Sequence, residues 1–295
     1  MNDSALLSVG LPIALAIIMF GLGLSLTPGD FRRVVRTPRA VFVALTLQIV
    51  VLPMIAFGLV VVADLDPLVA VGVMLLAASP GGTTANLFSH LFHGDVALNV
   101  TLTAVNSVLA AVSIPLITNA AISYFDAGDT LGLQFGKVLQ VIAIVLVPVG
   151  IGMLVRSRSA TFAARADRPV RIFSIVVLVM VSVGAILGER ENIADYLREI
   201  GVVVTLFCCA SLCLGYLGAR VFKLGQAQAI ATSMEVGIHN TTVALTIALS
   251  VLDNTTVAIP AAVYSIVMYV LATAFGFLIT RSRVVRPPAP HDVTT

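Results

Sequence analysis

Charge is what this 295-residue chain has least of: 11% of its residues are charged and 59% hydrophobic, with a mean hydropathy of +1.06. That balance excludes the pair of soluble domains the length would otherwise suit and assigns the chain to lipid. Cysteine is also scarce. Cys208, Cys209 and Cys213 share one apolar run in which none has a distant partner, so no disulfide framework is expected and all three read as small buried packing residues. Catalytic patterns are missing: there is no Ser/His/Asp set, no HExxH, and no Gly-Lys-Ser/Thr after Gly81 and Gly82 to make a phosphate loop. An enzyme or a signalling receptor thus lacks the convergent groups it would need. His90 and His93 have metal-like spacing, but no second cluster completes a site, so they read as solvent-facing. The net charge of +2 comes from arginines scattered between apolar runs, which is topology information and not a nucleic-acid face.

What is present is a series of apolar runs. Roughly 20 apolar residues cross a bilayer as a helix, and only helices or closed barrels satisfy their backbones there. Division on that rule predicts nine helices, at residues 5–26, 40–62, 68–92, 96–122, 133–155, 172–188, 201–221, 226–250 and 258–280. The first run has no basic residues before it and is too long for a signal sequence, so it is expected to be a transmembrane helix. Basic residues collect after helix 1 (Arg32, Arg33, Arg36, Arg39), helix 5 (Arg156, Arg158, Arg165, Arg168, Arg171), helix 7 (Arg220, Lys223) and helix 9 (Arg281, Arg283, Arg286). By the positive-inside rule those connections are cytoplasmic, with the amino terminus outside and the carboxyl terminus inside. The Pro-rich tail is expected to be disordered.

Sorting the acids by this map isolates one residue. Every Asp and every other Glu falls in a loop or terminus, whereas Glu235 lies mid-membrane in TSMEVGIHNTTVALTIAL. A charge at that depth costs about 2.5 to 3.5 kcal/mol on insertion scales and normally faces a cavity, a partner or an ion path. Gly237, His239, Asn240, Thr241 and Thr242 follow it. A similar interruption occurs in predicted helix 3, where Pro80, Gly81 and Gly82 precede Thr83, Thr84 and Asn86. GGTTANL at 81–87 and GIHNTTVAL at 237–245 sit in segments predicted to run in opposite directions, the pattern that marks the binding site of an inverted-repeat transporter. The repeat pairs helices 1–4 (residues 1–130) with helices 6–9 (172–295) and leaves helix 5 with its cytoplasmic loop (131–171) unmatched. Freed carbonyls beside a carboxylate suit a small hard cation, and freed amides suit an anion. Asn99 and Thr103, four apart, share one face of helix 4 and offer oxygens, or simply hydrogen-bond between helices. Gln48, alone in the apolar run of helix 2, has the same two readings.

PGGTTAN at 80–86, GDVALNVTLT at 94–103 and EVGIHN at 235–240, with IMFGLGLSLTPGDF at 18–31 and AIPAAVYS at 258–265, resemble bacterial members of the bile acid:sodium symporter family. The resemblance implies an all-α fold of inverted repeats, panel and core domains, and two broken helices that cross. It also implies a nine-helix version without the first helix of ten-helix relatives. Carried over by residue, it implies one sodium site at Asn86, Asn99, Thr103 and Glu235. A second would lie at Gln48, Glu235, Val236, Ile238 and His239, and the substrate would meet Thr83, Thr84, Asn240 and Thr241. Relatives typically carry Gln where this chain has His239, whose ring nitrogen suits a hard cation less well than an amide oxygen. A polar His-Asn pair of some relatives stands here as Met268 and Tyr269. The expected activity is sodium-coupled symport of a small organic anion across the cell membrane. Proton coupling through Glu235 and His239 is the alternative, since imidazole changes charge near neutrality.

Overall fold

A computed structural model describes residues 11–128, 135–188 and 193–281. Among these residues twelve helices follow one another: α1 (Leu11–Ser25), α2 (Pro28–Arg36), α3 (Pro38–Val62), α4 (Pro67–Ala78), α5 (Thr83–Leu91), α6 (Val96–Tyr124), α7 (Phe135–Arg158), α8 (Ala160–Gly188), α9 (Ile193–Val221), α10 (Gln226–Gly237), α11 (Thr241–Val251) and α12 (Thr255–Thr280). Among the described residues there is no β-strand, only an isolated antiparallel bridge between Gly81 and His239. Asp66, Asp95 and Asn254 cap α4, α6 and α12 by accepting from backbone N–H groups at 2.9 to 3.0 Å, which satisfies amides that a helix start leaves open.

Polarity runs opposite to that of a soluble protein. Val35, Phe42, Met54 and Val62 point outward, while Gln48, Asn99, Thr103, Asn106, Glu235 and His239 are buried. This is the distribution lipid enforces, because outward polar groups would find no water. Four helices among the described residues, α3, α6, the Ile200–Val221 part of α9, and α12, are long and apolar enough to cross a bilayer; α1 with α2 makes a fifth if that bent pair is one span. Predicted helices 3 and 8 are each two half-helices, α4 with α5 and α10 with α11.

Several expected boundaries shift. The basic stretch after helix 1, read as a loop, contains α2, set at 59° to α1. Thr27 starts it by donating its N–H and its hydroxyl to Asp30, each at 2.7 Å, and Pro28 fits the first turn. The stretch before residue 172, read as a cytoplasmic loop, is helical from Ala160 and includes Asp167. Hydropathy reports burial in lipid, whereas Ala160, Ala163, Ala164, Ala166 and Arg165 are strong helix formers regardless of it. α9 likewise begins at Ile193 and not at 201. The cysteines also differ from one another: Cys208 is buried, Cys213 half-buried and Cys209 exposed. Neighbours on a helix point about 100° apart, so adjacent cysteines cannot share one face. Residues 5–10, the predicted turn acids Asp129, Glu189 and Glu191, and the tail from 282 lie outside the described residues.

Small residues set the tightest seams. A Cβ on Gly152 of α7 would overlap the Phe20 carbonyl of α1, and one on Gly23 would overlap the Val149 carbonyl of α7. Close backbone approach of this kind replaces the hydrophobic drive that helices lack in lipid. Arg156 of α7 ties the same pair together by donating from Nη1 to the Leu24 carbonyl at 2.8 Å, near the C-terminus of α1. Gly150, in contrast, has open space around its Cβ position. Gly152→Leu should therefore destabilise the detergent-solubilised protein by about 1 to 3 kcal/mol, as overpacking does. Gly150→Leu should leave the thermal midpoint nearly unchanged, and equal midpoints for the two variants would show that α1 and α7 do not meet along this seam.

Candidate ion and anion site

Breaking a helix inside lipid strands backbone donors and acceptors, and here each break supplies partners for the other. The Gly82 N–H donates to the Ile238 carbonyl and the Asn240 N–H to the Pro80 carbonyl, both at 2.8 Å. These two bonds make the Gly81–His239 bridge and cross the break between α4 and α5 over the break between α10 and α11. The Tyr264 hydroxyl of α12 donates to the Gly237 carbonyl at 2.8 Å, which occupies a carbonyl that the end of α10 would otherwise expose.

Glu235, on the last turn of α10, is 2% exposed. Its carboxylate lies where a Cβ on Gly81 would be, so the glycine at the crossing leaves the space that the acid fills. Two side chains of α6 donate to Oε2: the Asn99 Nδ2 at 2.7 Å and the Thr103 Oγ1 at 2.6 Å. The carboxyl group is thus held by short hydrogen bonds. Its other oxygen, Oε1, has no hydrogen-bond partner, and neither has Oδ1 of Asn99 or Oδ1 of Asn86 on α5. The three helices that carry these residues, α5, α6 and α10, pack on one another. One carboxylate oxygen and two amide oxygens on these packed helices are without hydrogen-bond partners, and oxygen donors are the kind that suit a hard monovalent or divalent cation. The four residues expected at a first cation site are therefore on packed elements, with Glu235, Asn99 and Thr103 in direct contact.

The second expected set divides. Gln48 sits in a π-helical turn of α3, Leu47–Val51, a local widening often seen at functional positions. Its Nε2 donates to the Ser79 carbonyl at 3.2 Å, and the His239 ring nitrogen Nδ1 lies 3.2 Å from that same carbonyl. Gln48 and His239 thus meet at Ser79, at the end of α4, and each keeps one unpartnered atom, Oε1 and Nε2. His239 bonds at Ser79 and Glu235 at Asn99 and Thr103, so these contacts do not join the two residues. The Ile238 carbonyl already accepts from Gly82. Val236 is fully buried.

The four expected substrate residues also differ. Thr83 is exposed and Thr84 half-buried at the start of α5, where Gly82 provides no side-chain cap. Asn240, in contrast, caps its own half-helix by accepting from the Val243 N–H at 3.3 Å, and Thr241 is buried. Open amides at one helix start and a capped start at the other make α5 the stronger anion-facing end. Tyr269 of α12 joins it: its hydroxyl lies 3.4 Å from Thr84 Oγ1 and its ring stacks on Phe88 at 5.9 Å.

Three residues were missing from the sequence-based set. Asn106, in electrostatic reach of Glu235, lies seven positions after Asn99 on the same face of α6, a spacing visible in the sequence. Ser79 and Gly81 contribute a carbonyl and a space, and neither signals itself by residue type. His90 and His93 are exposed, as the sequence led one to expect.

Comparison with known proteins adds an independent line. Residues 12–196 match the model of the sodium bile acid symporter family. The chain is 32% identical over 86% of its length to an uncharacterized sodium-dependent transporter of Bacillus subtilis, of which it covers 78%. It is 28% identical over 92% of its length to a protein named as a probable chloroplastic sodium/metabolite cotransporter in Arabidopsis thaliana, of which it covers 66%. It is 28% identical over 83% to the human ileal sodium/bile acid cotransporter, of which it covers 70%.

The geometry at Gly81 is directly testable. A methyl group there collides with the Glu235 carboxylate, whereas one at Gly82 comes no nearer than 3.1 Å to any neighbour, the His239 carbonyl oxygen. Gly81→Ala should cost about 1 to 3 kcal/mol and Gly82→Ala clearly less. Thermal unfolding of both variants in detergent checks this, and an unperturbed Gly81→Ala would remove the glycine from its role beneath the acid.

Proposed function

We propose a specific reaction for this chain, which belongs to the sodium bile acid symporter family, a family of sodium-dependent cotransporters and not of enzymes: coupled uptake of sodium and a small organic anion by alternating access. The observation that carries the proposal is the buried Glu235 carboxylate at the crossing of two broken helices, in contact with Asn99 and Thr103 and with an unpartnered oxygen of its own. Sodium bound there would offset the carboxylate. An anionic solute would then meet the open amides of Thr83 and Thr84, whose positive helix end attracts it. Without the cation the buried carboxylate would repel that anion, so each ligand raises the affinity for the other.

Nine membrane spans arranged as two inverted repeats, residues 1–130 and 172–295, with residues 131–171 between them, are the architecture we assign to this transporter. Its amino terminus would face outward and its carboxyl terminus the cytoplasm, in the cell membrane. Arginine-rich connections support that orientation. The panel and core division would let one group of helices rock against the other, exposing the crossing to each side in turn.

The ion-site assignment predicts a clear separation of folding from coupling. Glu235→Gln keeps the size and one acceptor oxygen, so the variant should fold and elute normally. Its sodium-stimulated uptake into proteoliposomes, screened over a panel of organic carboxylates, should fall about 100-fold, equivalent to about 2.8 kcal/mol at 1.4 kcal/mol per tenfold. Potassium replaces sodium in the control arm. Uptake that stays sodium-dependent in the variant would end the assignment.

A further inference from the structure

We propose that α2 and the first turn of α3 form a binding surface for anionic phospholipid, in which Arg32, Arg36 and Arg39 hold headgroup phosphates and Val35 enters the acyl boundary. A lipid partner of this kind is independent of the sodium-symport reading above.

Once helical, the segment PGDFRRVVR of α2 divides by face. Phe31 and Val34 pack against the core, and α2 rests on α6. Arg32, Val35 and Arg36, three and four positions apart, share the outward face and are exposed, Val35 by 82%. Arg39 is exposed in the first turn of α3. The turn of 59° between α1 and α2 takes this arginine-rich helix out of the line of α1. An apolar side chain between basic ones on the outer face of a short helix is the pattern that seats a helix at a membrane surface.

Headgroup depth follows from the next turn of α3. Phe42 comes three positions after Arg39, about 4.5 Å farther along the helix axis, and with Val50 and Met54 it forms an exposed apolar face. The lipid-facing side of α3 thus begins one turn beyond Arg39, which puts the arginines at the edge of the hydrocarbon, where phosphates lie. Their charge is also free to act there. Asp30, the one acid of α2, accepts instead from the Thr27 N–H and hydroxyl, each at 2.7 Å. Among the described residues no side-chain hydrogen bond or ion pair engages Arg32, Arg33, Arg36 or Arg39. A guanidinium offers paired N–H donors that match two phosphate oxygens, and an anionic headgroup lacks the ammonium that would repel it in a zwitterionic one.

The chain contains no tryptophan, so Val35→Trp supplies a single fluorescent reporter on this face. Reconstituted into vesicles, that variant should show the blue-shifted emission of an indole in lipid. Brominated phosphatidylglycerol should quench it at about tenfold lower mole fraction than brominated phosphatidylcholine, since each arginine near an anionic surface contributes roughly fivefold. Adding Arg32→Gln, Arg36→Gln and Arg39→Gln together should bring the two lipids level. Arg158→Gln, Arg165→Gln and Lys223→Gln, which remove the same charge from other exposed positions, should leave the preference intact, and inorganic phosphate should not displace the lipid. Native mass spectrometry of the unsubstituted chain, retaining phosphatidylglycerol over phosphatidylcholine, makes the same comparison without a reporter. Emission typical of an indole in water, equal quenching or retention of both lipids, equal losses in the two charge-depleted variants, or displacement by phosphate would each overturn the proposal, and none of them bears on sodium symport.

Discussion

Two interrupted helices in a nonpolar interior cannot each leave their backbone groups unpaired, and the bonds from Gly82 to Ile238 and from Asn240 to Pro80 meet that demand. An unpaired amide or carbonyl in such surroundings costs several kcal/mol, so neither interruption is tolerable alone. Their pairing fixes where α4 and α5 meet α10 and α11. It also brings Gly81, the one residue type without a side chain, over the carboxylate of Glu235.

The crossing then has two chemically distinct sides. Toward α6 lies an oxygen-rich cluster, in which Asn99 and Thr103 hold one carboxylate oxygen of Glu235 and leave the other unpartnered. Toward the start of α5 lie uncapped amides beside Thr83, Thr84 and Tyr269. In the proposed reading, a cation on the first side and an anion on the second would attract one another more strongly in this low-dielectric interior than in water.

Much of this was legible along the chain. Glu235 stood out because hydrocarbon penalises charge, the two interruptions because glycine and proline break helices, and Asn99 with Thr103 because a spacing of four puts both on one helical face. Other features left no such trace. α2 and the early start of α8 were hidden because hydropathy does not measure helicity, and Cys209 was misread because a mean over an apolar run ignores which way each residue points. Asn106 carried the signal of a spacing of seven and was passed over. Ser79 gave none, since its part is played by a backbone carbonyl that every residue possesses.

By itself, then, the amino-acid sequence determined the membrane environment, the approximate helices, the positions of both interruptions and the identity of the buried acid, all of which depend on local composition and period. Tertiary structure decided which oxygens remain unpartnered. His239 and Gln48 meet at the Ser79 carbonyl, and Asn99 Nδ2 turns to Glu235 while its Oδ1 stays unpaired. Hydrogen bonding saturates each donor and acceptor according to what lies within about 3 Å. Residues 31 to 160 positions apart come within that distance only once the chain has folded.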